Sequence, residues 1–508
     1  MNNSTRVVVN TVAQYTRTVI NLCLSLYSTR LILSALGEDD YGIYTLIAGT
    51  VALLSFMVNA LVVTTQRFLS FYFGRGDRER IKEIFCSSVV IHIVFGLVVA
   101  LLVEGVGLFL FDGFFNIAPE RIATARRVYH CVTVMLVLTF WAAPFRALLI
   151  AHENIVYISV VDVLDGVLKL VIALFVMAAD GDKLMVYALL LCGIQLVNML
   201  AFSVFDFWRY EECVVPRRRY FRLSYVKEIS SFSGWTIYSV GCVTGRTHGF
   251  SIILNKFFST AVNGAFGVAL QVNGAVHNLA TSIMNAMNPQ IVKAEGAGQR
   301  ERTLRLAAVE SKFCFLIIGL VAIPCMVEMP ALLHVWLGRV PEHAVLFCRF
   351  ILLTCLVDQL TIGLGVVNQA IGNIRAYSLV INSIKLFTLV PIVVCLLFWR
   401  NLTMCMVIYV SFEFICAMSR LVFIRRTAGL SVADFARRVF LREVLPVASM
   451  VGVSLVVVAL CHFSGRFLLT LALSAVVSIG VIYACGLCPD ERTIVNNLFQ
   501  KAKSKIKK

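Results

Sequence analysis

Basic side chains interrupt several long apolar stretches of this chain. Arg17 and Arg30 lie in the first stretch, Arg246 in the seventh and Lys385 in the eleventh. A charge at the centre of a bilayer costs about 2.5–3.5 kcal/mol on insertion scales, so such groups usually face a water-filled cavity or a partner. We predict that these four residues line a cationic cavity between two halves of the protein, where they bind an anionic headgroup.

Pairing between helices is the alternative interpretation of such charges. Asp165 precedes Lys169 by four residues, one helical turn, so these two side chains are expected to pair on one helix. Arg17 and Arg246 have no acid nearby in the sequence, which favours the cavity for them. Arg30 could alternatively extend its guanidinium group to the outer membrane surface.

Two acids inside apolar stretches are candidates for ion coupling. Asp358 and Glu413 are in the tenth and twelfth stretches. Either carboxylate is a candidate for coupling to a proton or sodium gradient, and the membrane potential is a further candidate driving force. Alternatively, Asp358 pairs with an arginine of another helix, and Glu413 pairs with Lys385. The sequence indicates no cofactor.

Polar residues on the eighth stretch extend the candidate site. Asn273 and His277 are one helical turn apart, and Asn278 follows directly. Asn59 is on the second stretch. A helix this polar is expected to line a cavity or a helix–helix interface rather than face lipid. Isolated histidines are more typical of hydrogen-bonded residues than of metal ligands, so we predict no metal site.

The amino-acid composition excludes several classes of protein. The chain has 508 residues, of which 59% are hydrophobic and 15% are charged. Soluble domains have about 25% charged residues, and a soluble chain of this length lacks the core volume to bury such an apolar excess. A soluble enzyme, a disordered scaffold and a fibrous protein are therefore excluded.

The apolar stretches predict fourteen transmembrane helices, which we call spans 1–14. Each stretch is near the length of about 20 residues that a helix needs to cross the hydrocarbon core. The predicted spans are 9–34, 41–64, 84–111, 126–150, 156–178, 184–207, 230–254, 263–287, 308–329, 344–367, 377–398, 404–424, 444–462 and 467–487.

The basic residues predict the orientation of these spans. With the N-terminus inside, the inner segments hold 31 basic residues and the outer segments hold eight. This positive-inside bias places both termini in the cytoplasm. It accounts for most of the net charge of +16 and indicates contact with anionic lipid rather than nucleic acid.

An internal repeat relates the two halves of the chain. A shift of 222 residues places 74–80 over 296–302 with the shared pattern G-x-G-x-R-E-R, and a shift of 219 places 151–161 over 370–380. We predict a six-span repeat in parallel orientation. Each G-x-G-x-R-E-R segment is expected to be a glycine-capped connection with Arg/Glu pairs leading into the next helix.

The predicted fold class is an all-α polytopic membrane protein. We assign residues 1–208 to an N-terminal six-helix lobe, 209–228 to a cytoplasmic linker, and 229–424 to a C-terminal six-helix lobe. Two further transmembrane helices occupy 425–487, and a basic cytoplasmic tail occupies 488–508.

Motifs for catalysis are missing from the sequence. There is no P-loop, H-E-x-x-H or G-x-S-x-G, and the only C-x-x-C, at 485–488, has no second pair for zinc. We therefore predict a transporter rather than an enzyme.

Three N-terminal segments carry a resemblance to a known family. They are 27–31 (YSTRL), 36–44 (LGEDDYGIY) and 66–70 (QRFLS). Together with the two six-span halves and the two extra spans, they resemble the multidrug/oligosaccharidyl-lipid/polysaccharide exporter superfamily. Within it, the chain looks like the bacterial polysaccharide (Wzx-like O-antigen) flippases.

This resemblance implies a function in cell-surface polysaccharide assembly. The implied substrate is an undecaprenyl-diphosphate-linked oligosaccharide, flipped across the bacterial inner membrane by alternating access. Spans 1, 2, 7 and 8 would line the cavity, and the polysaccharide polymerase machinery is an implied partner. Lipid II-type flippases, which also have fourteen spans, are a close rival. A small-molecule or cation antiporter of the same superfamily is a further alternative. In that case Asp358 or Glu413, and not the arginines, is expected to be essential for transport.

Overall fold

The computed structural model describes residues 3–52, 54–111, 117–258, 260–337, 340–461, 463, 465–493 and 496. All regular secondary structure in these residues is helical. Most of the predicted basic tail at 488–508 lies outside them, as do residues 112–116 of the longest predicted outer segment.

Nineteen α-helices follow one another along the described residues. They are α1 Asn3–Ala52, α2 Ser55–Arg75, α3 Arg78–Phe109, α4 Ile122–Ala151, α5 Ile155–Ala178, α6 Lys183–Arg209, α7 Leu223–Phe257, α8 Thr260–Gly296, α9 Arg300–Val327, α10 Met329–Leu337, α11 Ala344–Gln359, α12 Ile362–Ile371, α13 Ile374–Tyr377, α14 Ser383–Phe387, α15 Leu389–Phe398, α16 Leu402–Ala428, α17 Val432–Arg438, α18 Phe440–Leu460 and α19 Arg466–Val481. Short π-helical segments cover Ser378–Asn382 and Ile482–Gly486.

The helices are consistent with the fourteen predicted spans. Span 1 and the first half of span 2 both lie in α1, on either side of Gly37, and span 11 corresponds to the series α13 to α15. In the described part of the chain, nine helices are long and apolar enough to cross a membrane, and ten if α11 and α12, bent by 45°, form one span. Helix α5 is not among them, and it carries the charged residues Asp162, Asp165 and Lys169.

The chain divides into two compact units. We call residues 8–237 the N lobe, and residues 238–508 with residues 1–7 the C lobe. The division falls within α7, whereas the sequence-based boundary was the linker 209–228. Helices α18 and α19 belong to the C lobe, where both pack against α9.

In the N lobe, α4 packs against α2, α3 and α6. The QRFLS segment of α2 contributes to the packing of this lobe. Arg67 is buried, and its guanidinium lies 4.6 Å from the ring centroid of Phe68 and 5.1 Å from that of Phe232 on α7. Gln66 donates a hydrogen bond to Ser70 at 3.2 Å. These contacts give the segment a structural role, since cation–π contacts are strongest where water is excluded.

In the C lobe, α9 is the central helix and contacts α8, α11, α12, α18 and α19. Gly363 at the start of α12 lies so close to the backbone of Ala307 that no Cβ would fit. Its N–H donates to the hydroxyl of Ser311 at 3.0 Å. Glycine therefore permits a close approach of two helix backbones here, as small residues commonly do in membrane proteins.

The two G-x-G-x-R-E-R connections have the same backbone conformation. Gly76 ends α2 with φ 72°, and Gly298, exactly 222 residues later, has φ 74°. Asp77 then accepts a hydrogen bond from the N–H of Arg80 at the start of α3. The predicted glycine-capped connection is confirmed at both positions, which supports the repeat.

Helix α1 is interrupted at Gly37, within the LGEDDYGIY segment. Gly37 has φ 79° and ψ 173°, a conformation accessible essentially only to glycine. The interruption redirects the chain between span 1 and span 2. Nearby, Asp40 forms an ion pair with Arg121, which precedes α4.

We expect Gly37→Ala to destabilise the protein by about 1–3 kcal/mol, because alanine is strained in this backbone conformation. Gly42→Ala is the matched control, since Gly42 lies in the same helix with open space around it and without a positive φ. The measurement is the free energy of unfolding in mixed micelles by SDS titration. Equal effects of the two substitutions would contradict the assigned role of Gly37.

Large apolar side chains cover the outside of both lobes. Leu101 and Phe109 on α3 are 74% and 78% exposed, and Leu460 on α18 is 76% exposed. Exposed apolar surface on this scale is typical of helices that face lipid. The structure thus supports a multi-pass membrane protein.

Candidate functional site

In the N lobe, one carboxylate holds two arginines from different helices. Asp162 on α5 forms an ion pair with Arg17 on α1 at 2.6 Å. Arg146 on α4 donates to both oxygens of the same carboxylate, at 3.0 Å each. Asn21, one turn after Arg17, donates its amide to the Asp162 carbonyl oxygen at 3.2 Å. We call Arg17, Arg146 and Asp162 the N-lobe network.

The N-lobe network carries one excess positive charge. Asp165, the next acid on α5, forms an ion pair with Lys169 at 2.6 Å and accepts a hydrogen bond from the amide of Asn198 at 2.7 Å. This leaves Asp162 as the single carboxylate that pairs with Arg17 and Arg146 among the described residues. Two guanidinium groups facing one carboxylate leave a site that is electrostatically suited to an anion.

In the C lobe, Glu413 on α16 lies at the centre of a larger network. Its carboxylate is 2.6 Å from Arg246 on α7 and 2.7 Å from Lys385 on α14. The Glu413 side chain is 1% exposed. Arg246 also lies over the ring of Tyr409, 4.5 Å from its centroid. The Tyr409 ring therefore covers one face of this guanidinium group, while Glu413 accepts its hydrogen bond.

Asp358 on α11 extends the network to a third cation. It lies 3.0 Å from Lys385 and 2.7 Å from Arg420 on α16. Arg420 also donates to the Asp358 carbonyl oxygen at 3.2 Å. We call Arg246, Asp358, Lys385, Glu413 and Arg420 the C-lobe network. Three cations and two carboxylates again leave one excess positive charge.

The two networks occupy related helices of the repeat. Arg17 and Arg246 come from spans 1 and 7, as the repeat predicts for basic groups from equivalent helices. On spans 5 and 11 the charges are exchanged, because Asp162 is the central acid of one network and Lys385 is a bridging cation of the other. Each network nevertheless reaches the same net charge.

The remaining predicted site residues lie apart from the networks. Arg30, Asn59 and Asn278 are exposed, and no ion pair of Arg30 occurs among the described residues. Asn273 and His277 on α8 are half-buried. The side-chain oxygen of Asn273 is buried and has no hydrogen-bond partner within the described ranges.

No protein-family profile matches the sequence. One curated relative is the uncharacterized membrane protein EpsK of Bacillus subtilis (strain 168), 20% identical over 336 residues. This match covers 65% of the present chain and 65% of EpsK.

Solved structures match over more of the chain. The outward-facing conformation of a multidrug resistance MATE family transporter of the MOP superfamily has a TM-score of 0.70 and 13% identity, covering 84% of this chain and 96% of that one. The chain has a MATE-like fold. A second match is a MOP superfamily transporter from Pyrococcus furiosus, for which a reversed polarity of the binding pocket suggests a different function. It has a TM-score of 0.71 and 12% identity, and the match covers 84% of this chain and 96% of that one.

The MATE-like fold confirms the predicted fold class with its two lobes. The two solved structures named above are both transporters. In the described residues, no group of three His, Cys, Asp or Glu side chains converges in a way that could hold a metal ion.

Two members of the networks were missed from the sequence. Arg146 and Arg420 are not among the predicted site residues, but they lie inside α4 and α16 and pair with Asp162 and Asp358. For Arg420 a signal existed, because it follows Glu413 by seven residues, two turns of one helix face. For Arg146 no comparable signal exists, since its partner is on another helix.

Proposed function

We propose that this protein is a flippase for a polyprenyl-diphosphate-linked oligosaccharide. The observation that carries the proposal is the single excess positive charge in each intramembrane network. A diphosphate needs cationic partners while it is away from the aqueous headgroup layer, and arginine is well suited to phosphate oxygens. The similarity to EpsK, which is itself an uncharacterized membrane protein, is consistent with this proposal.

The proposed setting is the bacterial inner membrane, with both termini in the cytoplasm and the polysaccharide polymerase machinery as a partner. Alternating access would expose the networks first to one side of the membrane and then to the other. The basic residues that remain in the connections between helices support this orientation. A proton gradient, a sodium gradient or the membrane potential is the proposed driving force.

A cation antiporter is the second candidate, because the MATE-like fold is shared with a multidrug resistance transporter. In that case a carboxylate such as Asp358 or Glu413 would bind the coupling ion or the substrate. Each of these carboxylates is already held by two cations in the C-lobe network. This arrangement favours anion binding over cation binding.

Arg17→Gln and Arg246→Gln test the proposal. Each substitution neutralises one network but leaves every carboxylate with a cation, so the fold is expected to persist. We expect each variant to flip substrate about ten to a hundred times more slowly, since a hydrogen bond to a charged group contributes about 1.5–3 kcal/mol. The measurement uses proteoliposomes that contain a fluorescent polyprenyl-diphosphate oligosaccharide and an impermeant quencher.

Lys169→Gln is the control for this experiment, because Lys169 is an intramembrane cation outside both networks. Its flipping rate is expected to stay near that of the unaltered protein. If Arg17→Gln and Arg246→Gln flip normally while Asp358→Asn abolishes export of an organic cation, the antiporter is correct and the flippase is not.

A further inference from the structure

A groove of about 630 Å³ runs along the surface of the C lobe between span 11 and span 12. Its apolar wall includes Phe414, Met418, Val422 and Phe423 of α16. The groove is within the size range of about 300–1,000 Å³ that is usual for ligand sites. It is separate from the C-lobe network, none of whose residues lines it.

Span 11 is not a regular helix, because the π-helical turn Ser378–Asn382 lies between α13 and α14. Small side chains, Ala376 and Ser419, line the groove. An edge-to-face contact of Tyr377 with Phe423, with ring centroids 5.6 Å apart, joins the two helices beside it. π-Helical turns often occur at functional sites.

One end of the groove is polar. Arg426 and Asn373 line it there, and both side chains are exposed. No ion pair of Arg426 occurs among the residues that the structure describes. The side chain of Asn373, at the N-cap of α13, makes no capping hydrogen bond. A guanidinium and an amide are thus both available as donors at the end of an apolar groove, which suits the phosphate of a lipid.

The dimensions of the groove match one leaflet. Phe414 and Arg426 are twelve positions apart on α16. At 1.5 Å per residue this separation is about 18 Å. Half of the hydrocarbon core is about 15 Å thick, so Arg426 lies at headgroup level when Phe414 is near the bilayer centre. A lipid that stays in one leaflet fits this length, whereas a transported polyprenyl chain is not confined to one leaflet.

We propose that this groove binds one acyl chain of an anionic phospholipid, with the lipid phosphate on Arg426 and Asn373. In the proposed orientation this lipid belongs to the cytoplasmic leaflet. The bound lipid would hold span 11 against span 12 at the π-helical turn. The proposal does not depend on the identity of the transported substrate.

The test is a titration of the purified full-length protein with phosphatidylglycerol, followed by native mass spectrometry. A basic residue at the membrane surface contributes about 1 kcal/mol of attraction to anionic lipid. We therefore expect about fivefold weaker binding in Arg426→Gln. Arg426→Lys is expected to retain most of the affinity. Arg425→Gln is the matched control, because Arg425 is the preceding exposed arginine of α16 and does not line the groove.

Ser419→Phe fills the groove while Arg426 stays in place, and it is expected to weaken binding as well. Three results would overturn the proposal: equal losses in Arg425→Gln and Arg426→Gln, equal binding of phosphatidylglycerol and phosphatidylcholine, or displacement of phosphatidylglycerol by an equimolar polyprenyl phosphate. The last result would identify a polyprenyl chain as the occupant.

Discussion

Asp162→Asn is expected to lower the free energy of unfolding by about 3–5 kcal/mol, because it leaves two charged arginines without their shared carboxylate. Arg17 and Arg146 both depend on Asp162, and their side chains are only 20% and 35% exposed. Neither guanidinium can lose its proton to escape the penalty. The loss is measured by SDS titration of the purified protein in mixed micelles.

Asp165→Asn is the matched control for this prediction. Asp165 lies on the same helix, three residues further along, and its side chain is 21% exposed against 22% for Asp162. Asp165→Asn leaves one cation, Lys169, without its carboxylate, whereas Asp162→Asn leaves two. The loss in free energy of unfolding is therefore expected to be smaller for Asp165→Asn. Similar losses for the two variants would show that Asp162 does not hold the N-lobe network together.

Much of the fold could be predicted because its signals are local. A span is visible as a continuous apolar stretch, and the connection at Gly76 is visible as a glycine followed by charged residues. The repeat adds a second copy of each signal, so Gly298 could be assigned from Gly76. The break at Gly37 falls in segment 36–44, one of the three segments that carry the family resemblance.

The composition of the candidate site could not be predicted in the same way. Arg17 and Asp162 are 145 residues apart, and Arg246 and Glu413 are 167 residues apart. Pairs at this separation depend on how helices are rotated and packed, and hydropathy contains no such information. Asn59 and Arg30 illustrate the same limit, since both are on predicted cavity helices and yet lie outside the networks.

The networks also change the interpretation of the intramembrane charges. Pairing and anion binding were alternative explanations of Arg17 and Arg246 in the sequence. In each network, however, the cations outnumber the carboxylates by one. Under the proposed function, ion pairs stabilise the helices while the remaining charge binds the substrate. Removing an acid should therefore destabilise the protein more than removing a cation does.

Glu413→Gln provides this contrast in the C lobe. The substitution leaves Arg246, Lys385 and Arg420 with Asp358 as their single acid. Because Arg246 and Lys385 are each 7% exposed, we expect a loss of about 3–5 kcal/mol in the free energy of unfolding. Arg246→Gln, in contrast, leaves two cations with two acids and is expected to unfold close to the unaltered protein. SDS titration of both variants measures the difference.

The double variant Arg246→Gln/Glu413→Gln decides whether net charge or residue identity matters. It removes one complete ion pair and leaves Lys385 and Arg420 on Asp358, the same arrangement of two cations on one aspartate that the N lobe has. We expect it to recover most of the stability lost in Glu413→Gln, since residues in contact couple by about 0.5–3 kcal/mol. Its excess positive charge is restored, so its flipping rate should exceed that of Arg246→Gln. A double variant that is stable but flips no faster than Arg246→Gln would show that the substrate requires the Arg246 guanidinium itself, and not the charge of the network.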